Sequence, residues 1–78
     1  MEFENQYILD LLKFLRGHKN VPDLHSAVCK GRDILALECF YDGTFSIESL
    51  TSEYKCEGVS LKDAYDILVK YEVTSYEI

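Results

Sequence analysis

Asp42-Gly43 lies between two apolar-rich runs, DILALECFY before it and TFSIESL after it. An Asp-Gly pair in that setting is a strong local signal for a β-hairpin, because glycine enters the left-handed backbone region of a tight turn without a Cβ clash. This pair constrains the chain more than any other feature. It sets a ribbon from Asp33 to Leu50 on which the remaining elements must pack.

The register of that ribbon follows from which pairing gathers the apolar side chains on one face. A two-residue turn on Asp42-Gly43 pairs Phe40 with Phe45, Glu38 with Ile47 and Leu37 with Glu48, and mixes charge with aliphatics on both faces. A three-residue turn, Tyr41-Asp42-Gly43, with Gly43 left-handed as a G1 bulge, shifts the pairing by one. Cys39 then faces Phe45, Leu37 faces Ile47 and Leu35 faces Ser49. The other face holds Ala36, Glu38, Thr44, Ser46 and Glu48. The second register is expected, since a slip by one residue would bury two glutamates. Ile34, Phe40 and Leu50 also fall on the polar face. Either a helix or a further strand covers them, or they form a contact surface that would suit a homodimer.

The rest of the chain reads as helices and short strands. Apolar residues from Phe3 to Leu15 crowd one half of a helical wheel, giving an amphipathic helix from Phe3 to Arg16 with Gly17 as a left-handed cap. Residues 22–30 read as a short helix, with Pro22 at its first turn, Asp23 at its positive pole and Gly31 as its stop. The competing reading is a strand from His25 to Cys29, hairpinned through Lys30-Gly31. Glu53 to Glu57 is expected as a third strand of a meander, after a turn near Ser49 to Ser52. Ser60 caps a last helix whose inner face is Leu61, Ala64, Tyr65, Leu68 and Tyr71. The tail Glu72 to Ile78 is β-prone and can add an edge strand. The fold expected is α+β: a small antiparallel sheet of two or three strands packed against an N-terminal and a C-terminal helix.

With 78 residues the chain fits one domain, 1–78, and would bury only about 60% of its unfolded surface. It has no apolar run near the roughly 18 residues of a membrane span and no basic-then-apolar start, so it reads as cytoplasmic. Three cysteines, Cys29, Cys39 and Cys56, are too few and too widely spaced for a disulfide framework. They read as reduced thiols.

Net charge is −6, unevenly placed. Lys13, Arg16, Lys19, Lys30 and Arg32 form a basic middle against Asp23 alone, and ten acids against three lysines follow from Asp33 onward. Overall acidity disfavours nonspecific attraction to nucleic acid or anionic lipid. At the end of the first helix Lys13, Arg16 and Lys19 also suit the negative pole of the helix dipole.

Catalytic and metal patterns fail inspection. His25 and Cys29 share spacing for two ligands, whereas a structural zinc site needs four. No cysteine sits where its pKa would fall, and Glu38 and Glu48 are offset by one pair on an outer face. Phosphate-loop, GxSxG and HExxH motifs are missing from the sequence. No cofactor is implied, and the chain is expected not to be an enzyme.

Among the six tyrosines, Tyr7, Tyr65 and Tyr71 occupy inward helical positions, while Tyr41 and Tyr54 do not. Tyrosine is enriched in interfaces. The candidate partner-binding surface is therefore Glu38, Tyr41, Asp42, Glu48, Glu53, Tyr54 and Glu57, facing a protein with a basic site. In length, acidity and mixed α/β pattern the chain resembles the small inhibitors carried by phages and mobile elements. Some of those present carboxylates where the phosphates of a nucleic acid would bind. The alternative expectation is a nucleic-acid-binding regulator using the basic 13–32 segment.

Overall fold

The computed structural model describes residues 4–17 and 25–77. Its elements are α1 (Gln6–Arg16), β1 (His25–Cys29), β2 (Ile34–Cys39), β3 (Phe45–Ser49), β4 (Lys55–Val59), α2 (Leu61–Lys70) and β5 (Val73–Glu77). The strands form one five-stranded antiparallel sheet in the order β4-β3-β2-β1-β5. Strands β1 to β4 form a meander, and α2 carries the chain back across the sheet to seat β5 beside β1. The architecture is α+β, with more strands than the expected two or three.

The central hairpin has the expected register: Leu35 opposite Ser49, Leu37 opposite Ile47 and Cys39 opposite Phe45. Its tip closes with Phe40 N–H donating to Thr44 O at 2.9 Å and Gly43 N–H to Phe40 O at 3.0 Å, with Gly43 at φ 87°. This is the three-residue turn ending in a left-handed glycine.

The expected helix at 22–30 is corrected. Residues 22–24 lie outside the described residues, and His25–Cys29 is a strand paired with β2 on one side and β5 on the other. The physical reason lies in the turn that follows. Cys29 N–H donates to Asp33 O at 2.9 Å and Arg32 N–H to Cys29 O at 3.0 Å, the same bonds that close the hairpin tip. Ala27 and Cys29 enter the core while Ser26 and Val28 are half-buried, so burial alternates with period two and not at helical spacing. Glycine, aspartate and proline mark turns as readily as helix ends.

Both helices pack on the face that carries Leu35, Leu37, Cys39, Phe45 and Ile47. Helix α1 contributes Ile8, Leu11, Leu12 and Leu15, and α2 contributes Ala64, Tyr65 and Leu68, all buried. The buried Tyr65 hydroxyl accepts the Asn5 N–H at 2.6 Å, joining the start of α1 to α2. Caps fit the sequence: Asn5 Oδ1 accepts from Ile8 N–H at 3.2 Å, and Ser60 Oγ from Asp63 N–H at 3.1 Å. The first helix starts at Gln6 and not at Phe3, which lies outside the described residues. Gly17 is right-handed at φ −77°, not the left-handed cap expected; its N–H is shared between Lys13 O and Phe14 O. Tyr7, expected in the core, is exposed.

Strand β4 begins two residues later than the expected third strand, leaving Glu53 and Tyr54 in the preceding turn. Buried Ser49 anchors that turn, its Oγ accepting the N–H groups of Thr51 and Ser52 at 3.2 and 2.9 Å. Thr51 Oγ1 in turn donates to Asp33 Oδ1 at 3.0 Å, tying the turn to the β1–β2 connection.

Candidate functional site

With both helices on one side, the second face of the sheet carries no covering helix or strand among the described residues. Two cross-strand rows define its centre. Ala36, Glu48 and Lys55 form one, and Glu38 and Ser46 form the next, with Glu57 beside them at the sheet edge. A groove of about 240 Å³ runs over these residues, with Phe40 at one side. The small side chains of Ala36 and Ser46 make the depression, and longer side chains rim it.

Glu57 follows Lys55 onto this face by strand alternation, and an irregular step comes after it. Ile47 pairs with Cys56 and Phe45 with Val59, so β4 has one residue more than β3 between those pairs. Gly58, at φ 69°, takes up the extra residue. The bulge lets both Cys56 and Val59 reach the helix side, where they pack against the core, while Glu57 stays at the groove rim.

The groove has three carboxylates against one ammonium. Lys55 Nζ lies 3.2 Å from Glu57 Oε1, and Lys55 sits directly across from Glu48. The hydrogen bond to Glu57, then the charges of Glu57 and Glu48, hold the Lys55 ammonium above its usual pKa of 10.5.

Of the residues singled out from the sequence, Glu38, Glu48 and Glu57 come together here. Tyr41 is 80% exposed at the hairpin tip, past the Phe40 end of the groove. The Asp42 carboxylate closes the tip turn, accepting the Thr44 N–H at 2.9 Å and the Thr44 hydroxyl at 2.6 Å. Glu53 is exposed in the β3–β4 turn, at the opposite end of the sheet. Tyr54, expected as an open aromatic, is half-buried. Its ring is 5.4 Å from that of Tyr71 and packs against the core. A hydrogen bond with Cys56, with burial next, pushes its hydroxyl up to about 12. Phe40 lies on this face, as strand alternation predicts for it together with Ile34 and Leu50, whereas Lys55 is a groove residue absent from the expected surface. Lys55 shares strand parity with Glu57, so alternation from that residue finds it.

The apolar trio divides. Leu50 N–H donates to Ile34 O at 2.8 Å, so Ile34 and Leu50 meet at one end, both exposed, and Val28 pairs with Ile34 from β1. Phe40 stands about 20 Å away, at the other end of a six-residue strand. The basic segment divides too. Arg16 reaches the hairpin tip, donating to Gly43 O at 3.3 Å with its guanidinium 5.6 Å from the Phe45 ring centre. Lys30 and Arg32 occupy the turn at the far end of β2, where Lys30 pairs with Glu72 at 3.8 Å. Lys19 lies outside the described residues.

Cys29 and Cys39 are buried free thiols and Cys56 is half-buried. Burial, then the charge of Asp33, pushes the Cys29 thiol above its usual 9.0, the wrong direction for a nucleophile. Among the described residues, no three His, Cys, Asp or Glu side chains cluster as a metal site. No helix among them is long and apolar enough to cross a membrane. No family model, curated protein or solved structure matches the chain.

Proposed function

We propose that this chain is a non-enzymatic protein-binding module that takes a basic side chain of a partner protein into the groove on its uncovered sheet face. The observation that carries the reading is the convergence of Glu38, Glu48 and Glu57 around a depression floored by Ala36 and Ser46. At about 240 Å³ the groove is smaller than the 300–1,000 Å³ typical of small-molecule sites, and suits one long side chain. An arginine fits its chemistry best. The guanidinium can fork between carboxylates while its planar face meets Phe40. An inhibitor that occupies the basic site of a nucleic-acid-handling enzyme is one form such a module takes.

The alternative nucleic-acid reading has less support. Arg16 is held at the hairpin tip and Lys30 and Arg32 sit at the opposite end of the sheet, so they form no continuous stripe for a phosphate backbone.

Titration of the ¹⁵N-labelled chain with an arginine-rich peptide tests the proposal. Amide shifts should concentrate at Ala36, Glu38, Ser46, Glu48 and Glu57, and the double substitution E38Q/E48Q should remove them. Shifts that instead track α1 or the Lys30–Asp33 turn would overturn it, as would binding indifferent to that substitution. A gel shift with nucleic acid, abolished by replacing Lys30 and Arg32, would favour the alternative.

A further inference from the structure

We infer that Lys55 is a built-in competitor for the groove, an internal counter-ion that a partner's cation must displace. This inference rests on the groove reading above and adds its regulation. In the partner-free chain the Lys55 ammonium already stands where an incoming cation would go. It touches Glu57 at 3.2 Å and faces Glu48 across the β3–β4 ladder. Its place is set by the fold. Strand β4 is the sheet edge, so no further strand flanks Lys55 among the described residues, and Glu57, two residues on along β4, lies on the same face beside it. Yet its side chain remains 53% accessible, and that of Glu57 60%, so the pair can open at small cost.

Binding is then an exchange of cations. The partner's guanidinium gains Glu48 and Glu57 only as Lys55 leaves them, while Glu38, which faces Ser46 and not a lysine, is the first carboxylate it can meet. An arginine, with its planar fork of donors, outcompetes an ammonium that makes a single contact. Removing the charge of Lys55, by substitution or by acetylation of its accessible amine, leaves three carboxylates with no internal cation.

The test compares K55M, which keeps the apolar stem, with K55R, which keeps the charge, using the same arginine-rich peptide by calorimetry. K55M should bind severalfold tighter than the unmodified chain, and K55R, whose guanidinium competes at least as well as the ammonium, should bind no tighter than it. The Lys55 Nζ resonance should also shift on titration. Tighter binding by K55M that persists when Glu48 and Glu57 are both glutamine would overturn the inference, because competition requires those two carboxylates. Unchanged or weaker binding by K55M would overturn it as well, the latter by making Lys55 a contact. Failure of E38Q/E48Q to affect binding of the unmodified chain would instead sink the groove reading itself, so the two failures are distinguishable.

Discussion

Two turns in this fold make the same pair of hydrogen bonds with different third residues, and the contrast is measurable. Lys30-Gly31-Arg32 joins β1 to β2 and Tyr41-Asp42-Gly43 joins β2 to β3. The third residue is left-handed in both, Arg32 at φ 71° and Gly43 at φ 87°. A residue with a Cβ in that region loses about 1–2 kcal/mol relative to the right-handed region. Glycine avoids that loss but has about 0.5–1 kcal/mol more chain entropy to give up on folding. The exposed Arg32 should therefore gain about 0.5–1 kcal/mol on R32G.

The reverse change at the hairpin tip, G43A, should lose about 1 kcal/mol. A Cβ added at Gly43 meets nothing within 4 Å, so that loss is conformational and not steric. For a domain of this size each kcal/mol moves the melting temperature by about 4–8 °C, in opposite directions for the two variants. Thermal melts by circular dichroism, with urea midpoints at constant m-value, would read both. The turns lie at opposite ends of β2, so the double variant should equal the sum to within about 0.5 kcal/mol. A lower melting temperature for R32G would refute the reasoning, because it would mean the guanidinium, not the backbone, secures the turn. A neutral G43A would remove the left-handed tip, and with it the register.

Leu37, fully buried in the core, should lose about 2–5 kcal/mol on truncation to alanine, read as a fall in the urea midpoint. Tyr54 titrates higher in the folded chain, at about 12, than its ordinary 10.0. The folded state thus holds that proton longer, so the contribution is complete below pH 10 and lost as pH rises through 12. Y54F should flatten stability over that window, and a drop that persists unchanged in Y54F would assign it to another group.

The hairpin register was legible in the sequence because only one pairing segregates Leu35, Leu37, Cys39, Phe45 and Ile47 from Glu38 and Glu48. The capping Ser60 and the inner face of α2 were legible for a similar reason, a local pattern with one consistent solution. Strand β1 was not. Pro22, Asp23 and Gly31 serve helix ends and turns alike, and the left-handed residue of its turn is Arg32, which gives no glycine signal. Nor does any local pattern announce that β5 will pair with β1, since that contact depends on where α2 delivers the chain. In the site, Glu38 and Glu48 followed from strand parity. Asp42 and Tyr54 differ from expectation for separate causes: Thr44 takes up the Asp42 carboxylate within the tip turn, and the Tyr54 ring packs on Tyr71, a contact distant in sequence.

The uncovered face inverts the usual plan of an interface, in which an apolar centre is ringed by polar residues. Here the carboxylates are central, Phe40 stands at one end, and Ile34 with Leu50 stands at the other. Water has access to the centre, so each charge pair formed there is worth little in isolation. On the proposed function, the arrangement would supply a negative field over the approach path of a basic partner, followed by apolar contact at the ends once docked. Association and dissociation should therefore respond to different things. Between low salt and about 0.15 M, where the Debye length falls to about 8 Å, the association rate should drop steeply while the dissociation rate changes little. Replacing the exposed Leu50 by serine should reverse that pattern, quickening dissociation at unchanged association. A salt effect confined to the dissociation rate, followed by surface-coupled kinetics, would mean that the carboxylates act only after contact, as buried pairs, and that the groove closes over its ligand.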